Sequence, residues 1–223
     1  MKILYEDADI VAVNKPVGLI THSDGRTKEE TAEDWFKEKY PENTGGYVHR
    51  LDRDTSGVLV FAKNAGAYEF LRKAFHDRDV HKTYLAVVYG KIKEKKGIID
   101  FDIGRSRKDF RMRSAQPKAK GRLRDALTRY EVIGEDGEHS LLKVSPETGR
   151  THQIRVHLKA IHHPIIGDKL YSPKQDKPLA FGLTRLALHA YMLDIPLPSG
   201  RRTLIKAPIP DDLAPALAHF PKI

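Results

Sequence analysis

Short apolar segments separated by turn residues are the feature that most constrains what this chain can fold into. The continuous apolar run Val58–Ala62 is typical of a buried strand. Near the N-terminus, Lys2–Tyr5 and Ile10–Val13 surround an Asp-Ala-Asp turn and stop before Pro16, which favours two short strands. Further strands are predicted at Lys82–Tyr89, Ile98–Ile103, Ala126–Ile133, Ser140–Val144, Leu186–Ile195 and Arg201–Ala207.

Three segments have the features of helices instead. Thr27 and Glu30 form a capping-box pattern, which predicts a helix that ends at Pro41. Asn64 is predicted to cap a second helix, because apolar residues recur after it at helical spacing. A third helix is predicted over Thr151–Ile161. Strands outnumber helices and do not alternate with them regularly, so we expect an α+β fold with a mostly antiparallel sheet.

Length and composition exclude several classes of protein. A chain of 223 residues without cysteine has no disulfide framework, cysteine-ligated metal site or cysteine nucleophile. Acidic residues occur among the first eight, and no apolar stretch approaches the length of a signal sequence core or a membrane span. We therefore expect a soluble, cytoplasmic protein that does not associate with a membrane.

The positive charge of the chain is concentrated in one segment. Lys and Arg number 39 and Asp and Glu 30, for a net charge of +9. Residues 104–124 contain a single acid, Asp109, and these cations: Arg105, Arg107, Lys108, Arg111, Arg113, Lys118, Lys120, Arg122 and Arg124. A cationic segment on a nearly neutral chain is typical of polyanion binding, with nucleic acid the first candidate, although a loop that only aids solubility has the same composition. Because like charges repel, we expect this segment to be mobile and to order against phosphates.

Four segments combine polar residues with glycine or proline: Asn14–His22, His49–Gly57, Lys82–Gly90 and Thr148–His157. The second, HRLDRDTSG, places Asp52 between two arginines directly before a predicted buried strand. Nearby guanidinium groups keep a carboxylate ionised, which suits nucleophilic or electrostatic work. The same letters also fit an ordinary turn, so the residues alone leave both interpretations open.

The segment TGRTHQIRVH is a second basic cluster. If Asp52 is a buried carboxylate, Arg150 or Arg155 is its natural counter-ion. His152 and His157 are five positions apart, which is not a usual zinc spacing, and we expect no metal site. The sequence has neither a G-x-S-x-G elbow nor a glycine-rich phosphate loop, so we expect neither a serine triad nor a nucleotide cofactor.

Five segments in this order resemble the RluA-type pseudouridine synthases: NKPVGLITH, HRLDRDTSGVLVFAKN, KTYLAVVYG, TGRTHQIRVHL and HPIIGDKLY. The HRLD-x-x-TSG string is the most specific of them. The resemblance implies a bent, mostly antiparallel central sheet with flanking helices and a catalytic cleft. It also implies a single catalytic domain over residues 1–223, with no separate N-terminal RNA-binding module, that works without a cofactor on structured RNA. We expect this protein to act as a monomer.

The resemblance also assigns roles to individual residues. Asp52 is similar to the family's catalytic carboxylate, and Arg50 would help to organise the flipped-out nucleotide. Tyr84 matches the tyrosine that stacks on the target uracil, and Arg155 matches the arginine that pairs with the aspartate. Further RNA contacts are expected from His49, Thr55, Arg105, Arg107, Lys108, Arg111, Arg113, Arg150 and His152.

The implied activity is the isomerisation of uridine to pseudouridine in 23S rRNA, tRNA or both. An ionised aspartate that faces the sugar could act as a nucleophile or as a base, and the sequence does not distinguish the two. Two other functions are compatible with the same residues. One is a non-catalytic RNA-binding protein or RNA chaperone of the same fold, and the other is an RNA hydrolase that uses Asp52 and a histidine.

Overall fold

The computed structural model describes residues 1–23, 25, 29–107, 109, 111–115, 119–172 and 179–220. In chain order the strands are β1 (Lys2–Glu6), β2 (Ile10–Lys15), β3 (Gly46–Tyr47), β4 (Ser56–Ala62), β5 (His81–Tyr89), β6 (Lys96–Asp100), β7 (Ile103–Ser106), β8 (Arg113–Ala115), β9 (Ala119–Arg124), β10 (Leu127–Glu135), β11 (His139–Pro146), β12 (Leu188–Pro196) and β13 (Arg202–Lys206). The helices are α1 (Ala32–Lys39), α2 (Ala65–His76), α3 (Gln153–Ala160) and α4 (Ala214–Ala218), with a 3₁₀ turn at Ala180–Gly182.

The chain divides into two compact units. The first contains Met1–Lys82 and Ala190–Pro208, and the second contains Thr83–His189 and Ile209–Ile223. The single domain expected from the resemblance stays a prediction.

Strand β4 is the buried centre of the first unit. Strands here are hydrogen-bonded in the order β1–β2–β4–β12, with β3 on β4 and β13 on β12. Val58 and Val60 share a buried cluster with Leu71 of α2. Phe61, which points to the other face because side chains alternate along a strand, stacks on Phe36 of α1 at 4.6 Å between ring centroids. The two helices therefore cover opposite faces of β4.

The second unit contains two groups of strands. Strands β5, β11, β10 and β6 are hydrogen-bonded in that order, and β7 pairs with both β8 and β9 in a separate sheet. The β11–β5, β10–β11 and β10–β6 pairs are all antiparallel. The strand content and these antiparallel pairs confirm the predicted α+β class.

Most elements lie within a few residues of their predicted positions. Asn64 caps α2 as expected, since its side chain accepts a hydrogen bond from the Ala67 amide. The predicted closing hairpin is also present, as β12 and β13 pair around the Pro-Ser-Gly turn. Within the described ranges, no helix is long and apolar enough to cross a membrane.

Two predictions of local structure are wrong. Helix α1 is capped by Thr31 with Asp34 in the capping box, one turn after the predicted start at Thr27, a residue that lies outside the described ones. The predicted strand Ile98–Ile103 is two strands, β6 and β7, because the chain leaves one sheet after Asp100 and joins the other at Ile103.

The described residues of the basic segment belong to strands that sequence reasoning did not predict. Strand β7 pairs with β8 on one side and β9 on the other, and we call these three strands the basic sheet. Ile103 and Ala115 of this sheet are buried with Val156 and Tyr171 in one apolar cluster. Contacts with other parts of the chain therefore supply the burial that the segment lacks by itself. The expected mobility of the segment without RNA stays a prediction.

Candidate active site

Asp52 lies in the loop between β3 and β4, where buried and exposed residues are interspersed. Leu51 and Thr55 are buried, while Arg50 and Arg53 are exposed and Asp52 itself is half-buried. The Thr55 amide donates to the Asp52 carbonyl at 3.1 Å, which closes a tight turn directly before β4. The turn expected from the sequence is thus present, and it presents a carboxylate at the start of a buried strand.

Residues that follow β2 hold the backbone on both sides of Asp52. The Thr21 hydroxyl donates to the Leu51 carbonyl at 2.9 Å and accepts from the Leu51 amide at 3.1 Å. On the other side, the Arg53 carbonyl accepts from the Gly18 amide at 2.9 Å. Gly18 has φ of 87°, a left-handed conformation that favours glycine.

Lys15 contributes a buried cation to the same loop. Its side chain is fully buried, and its ammonium group donates to the carbonyls of Pro16, Leu19 and Arg53 at 2.7–3.2 Å. Three carbonyl oxygens match the three N–H donors of an ammonium group, which offsets the loss of water. Sequence reasoning singled out the segment Asn14–His22 but gave neither Lys15 nor Thr21 a role.

His49 has a structural partner in β4. Its Nε2 accepts a hydrogen bond from the Val60 amide at 3.1 Å, and its ring stacks on Phe75 of α2 at 4.9 Å between centroids. Burial, aided by the charge of Lys82, lowers the pKa of His49 to about 3. The ring is therefore neutral at physiological pH and brings no positive charge to RNA, and the predicted RNA contact stays a prediction.

Tyr84 and Arg155 belong to the second unit. Tyr84 is half-buried on β5, opposite Val144 of β11. Arg155 is on α3 and is 5% exposed. Its Nε and Nη2 donate to the two carboxylate oxygens of Asp168, each at 2.8 Å, in a bidentate pair. The pairing of Arg155 with Asp52 stays a prediction, and Asp168 is a partner that sequence reasoning missed.

Asp168 organises the turn that contains Tyr171. Its Oδ1 also accepts from the amides of Leu170 and Tyr171 at 3.0 and 2.9 Å. The Arg155 guanidinium carbon lies 5.0 Å from the centroid of the Tyr171 ring, which is a cation–π contact. Asp168 and Tyr171 both belong to the HPIIGDKLY segment. Sequence reasoning used that segment for the resemblance but gave neither residue a role.

The Tyr171 hydroxyl connects α3 to the basic sheet. It accepts from the Arg113 amide of β8 at 2.8 Å and lies 2.9 Å from Nδ1 of His152. His152 directly precedes α3 and has φ of 58°, in the left-handed region. The structure thus brings together Arg113, His152 and Arg155, three of the predicted site residues, around one buried tyrosine.

Comparison with known proteins shows which family this chain belongs to. A family model described as RNA pseudouridylate synthase matches residues 9–160. The chain belongs to this family. It is 39% identical to ribosomal large subunit pseudouridine synthase D of Nitrosomonas europaea over 97% of its own length, but spans only 64% of that relative. An uncharacterised RNA pseudouridine synthase of Mycobacterium bovis is 42% identical and is covered over 72% of its length.

Solved structures have the same fold. Human RNA pseudouridylate synthase domain containing 1 superposes with a TM-score of 0.77 at 30% identity, covering 98% of this chain and 87% of that one. Human RNA pseudouridylate synthase domain containing 4 gives a TM-score of 0.82 at 24% identity. The pseudouridine synthase fold expected from the resemblance is therefore confirmed.

Within this member of the family, the remaining predicted RNA-binding residues differ in their contacts. Arg105 and Arg107 are exposed. Arg111 pairs with Asp109, and Arg150 with Asp125, each at 2.7 Å. Lys108 lies outside the described residues. Arg105 lies on β7 and Arg107 directly after it, and both present their side chains to solvent.

His157 is held as a structural residue. Its ring nitrogens lie 2.9 Å from the Thr128 hydroxyl and 2.9 Å from the Phe101 carbonyl oxygen. Burial lowers the pKa of this histidine. Among the residues with described positions, no three His, Asp or Glu side chains gather in a way that could hold a metal ion.

Proposed function

We propose that this chain is the catalytic domain of an RNA pseudouridine synthase that isomerises uridine in structured RNA. The observation that carries the proposal is the Asp52 loop, in which the HRLD-x-x-TSG string presents a half-buried carboxylate between two backbone positions held by hydrogen bonds. The relatives named ribosomal large subunit pseudouridine synthase D favour large-subunit rRNA as the substrate, with tRNA as the alternative. We further propose that the enzyme is cytoplasmic, where these RNAs are found, and that it acts as a monomer.

The proposed reaction needs few chemical groups. The bond between C1′ and N1 of uridine breaks, the uracil turns over, and C5 bonds to C1′ and then loses its proton, while N1 gains one. Atoms and electrons balance without an oxidant or reductant. Asp52 acts on the sugar, either as a nucleophile at C1′ or as a base at C2′.

The second unit supplies the groups that hold the base and balance the charge. We propose that Tyr84 stacks on the flipped uracil, where a base–aromatic contact contributes about 1–3 kcal/mol and offsets part of the cost of flipping. Arg155 is proposed to stabilise the carboxylate of Asp52. Its pair with Asp168 fixes the Nε edge of the guanidinium group, so the orientation of Arg155 is set before RNA binds.

The test uses RNA labelled with tritium at C5 of uridine. We expect the wild-type chain to release the label to water without shortening the RNA. Asp52→Asn keeps the shape of the side chain but removes its charge, so we expect no release above background and an RNA affinity within a few-fold of wild type.

Other outcomes separate the alternatives. RNA fragments would indicate a hydrolase, and binding without release or cleavage would indicate a non-catalytic RNA-binding protein. Turnover by Asp52→Asn at a measurable rate would contradict the role of Asp52 even if the wild type is a synthase.

A further inference from the structure

One hydroxyl group holds the backbone directly before Asp52. Thr21 Oγ1 donates to the carbonyl of Leu51 and accepts from its amide, so a single side chain satisfies both polar groups of that residue. Thr21 and Leu51 are each 3% exposed. Water therefore has little access to either group if the hydroxyl is removed, and a buried unpaired donor or acceptor is costly.

Thr21 is held in turn by the first turn of α1. The amides of Ala32 and Glu33 donate to the carbonyls of Ile20 and Thr21 at 2.9 and 3.0 Å. These are amides at the start of a helix, which have no partner within the helix itself. The carbonyls of the segment before α1 thus complete the helix, and the helix fixes the position of Thr21.

Helix α1 is itself anchored to the sheet. Its capping box joins Thr31 and Asp34, and the Phe36 ring stacks on Phe61 of β4 at 4.6 Å. The carbonyl of Asp52 closes the turn that leads into the same strand. A continuous series of contacts therefore runs from β4 through α1 and Thr21 to Leu51, the residue before Asp52.

We infer that Thr21 is a positioning residue, which acts through the Leu51 backbone to fix the direction of the Asp52 carboxylate. The direction of a side chain depends on the dihedral angles of its own residue, and these are limited when both flanking peptides are held. A displacement of about 1 Å at a catalytic group can reduce the rate about 100-fold. This inference rests on the proposed function and concerns the chemical step, not RNA binding.

The test compares three variants in the tritium-release assay. Thr21→Val keeps the shape but removes the hydroxyl, and we expect kcat to fall about 10- to 100-fold with KM within about three-fold of wild type. Thr21→Ser restores the hydroxyl and is expected to keep kcat within about three-fold of wild type.

Ser140→Ala is the matched control. The Ser140 hydroxyl is fully buried and has the same arrangement, since it donates to the Gly90 carbonyl at 2.9 Å and accepts from the Ile92 amide at 3.3 Å. It holds a loop of the second unit that contains none of the proposed site residues. We expect Ser140→Ala to lose stability in urea as Thr21→Val does, with kcat unchanged.

If Thr21→Val does not fold at the assay temperature, Thr21→Ala is measured in sucrose, which stabilises the folded state. The same selective fall in kcat is expected. A normal kcat in Thr21→Val or Thr21→Ala, a loss confined to KM, or an equal loss of kcat in Ser140→Ala would overturn the inference. A wild-type chain that releases no tritium overturns the proposed function instead, and the inference with it.

Discussion

Individual buried charges in this protein are matched by different kinds of partner. Lys15 is surrounded by backbone carbonyls, whereas Arg155 faces a carboxylate that is itself 1% exposed. Backbone carbonyls satisfy the N–H donors of an ammonium group, while a carboxylate also neutralises the charge of a guanidinium group. Removing the carboxylate that faces Arg155 should therefore lower the free energy of unfolding substantially.

Asp168→Asn tests this at the level of one residue. The variant replaces the carboxylate of Asp168 by a neutral amide of the same shape, and removing one partner of a buried pair typically costs about 3–5 kcal/mol. We expect a loss of this size in the free energy of unfolding measured in urea.

Asp125→Asn is the control for the same chemical change. Its pair with Arg150 is similarly short, at 2.7 Å, but the Asp125 side chain is 64% exposed. Exposed pairs contribute about 0–1 kcal/mol, so this variant should unfold almost as wild type does. Equal losses in the two variants would show that the Arg155–Asp168 pair is no more important than a surface contact.

Sequence reasoning singled out Asp52 and its proposed counter-ion Arg155. It did not find the residues that hold these two in place. Asp52 belongs to a contiguous and specific string, whereas Thr21 and Leu51 are 30 positions apart and Arg155 and Asp168 are 13 apart. No spacing rule links such pairs, because their contacts depend on how separate elements meet. Sequence reasoning could therefore propose Asp52 as the reacting group, but it could not find the contacts that hold the Asp52 loop.

Secondary-structure elements were predictable where the local signal was unique. Helix α2 has one clear cap and a regular apolar face, and its start was predicted correctly. Helix α1 is preceded by two threonines, Thr27 and Thr31, each followed three residues later by an acid. Sequence reasoning considered only Thr27. In the structure the helix begins after the later threonine, and the amides of its first turn donate to the carbonyls of Ile20 and Thr21. These are tertiary contacts, which a local sequence pattern does not reveal.

The basic sheet is the element that local reasoning missed. Its own residues are mostly polar, and its anchors lie elsewhere: Val156 is on α3, and Tyr171 is in the turn that Asp168 organises. Local reasoning therefore missed these strands, because their burial comes from residues about 30 to 70 positions away in the chain.

Tyr171→Phe tests how this element is anchored. The variant keeps the ring but removes the acceptor for the Arg113 amide and the partner of His152. A buried group left unpaired costs about 1–3 kcal/mol, so amides of β7 and β8 should exchange with solvent about 5- to 150-fold faster. Hydrogen exchange with peptide-level or NMR detection measures this directly.

Tyr40→Phe is the corresponding control, since its hydroxyl donates to Glu6 in an exposed contact of the first unit. Exchange in β7 and β8 should not change in that variant. Wild-type exchange in Tyr171→Phe would mean that the hydroxyl does not hold the basic sheet.

Over the whole molecule, charge is distributed in a way that makes RNA binding testable through salt. Almost all of the net charge of +9 lies in residues 104–124, where the structure forms a sheet instead of a loop. A sheet holds its side chains at fixed spacing, so its exposed cations can meet successive phosphates together. The exposed arginines with described positions here, apart from the paired Arg111, are Arg105, Arg107, Arg122 and Arg124.

Replacing these four arginines by glutamine should flatten the dependence of log affinity on log salt. Each phosphate contact that is lost reduces the slope by about 0.7–0.9, so four contacts would reduce it by about 2.8–3.6. The matched control replaces four exposed cations on α1 and α2, Lys37, Lys39, Arg72 and Lys73, which removes the same net charge from another surface. Because contact with phosphate, and not total charge, releases counterions, the control slope should remain close to that of wild type. Equal slopes in the two variants would show that the basic sheet does not bind RNA, even if Asp52 proves to be catalytic.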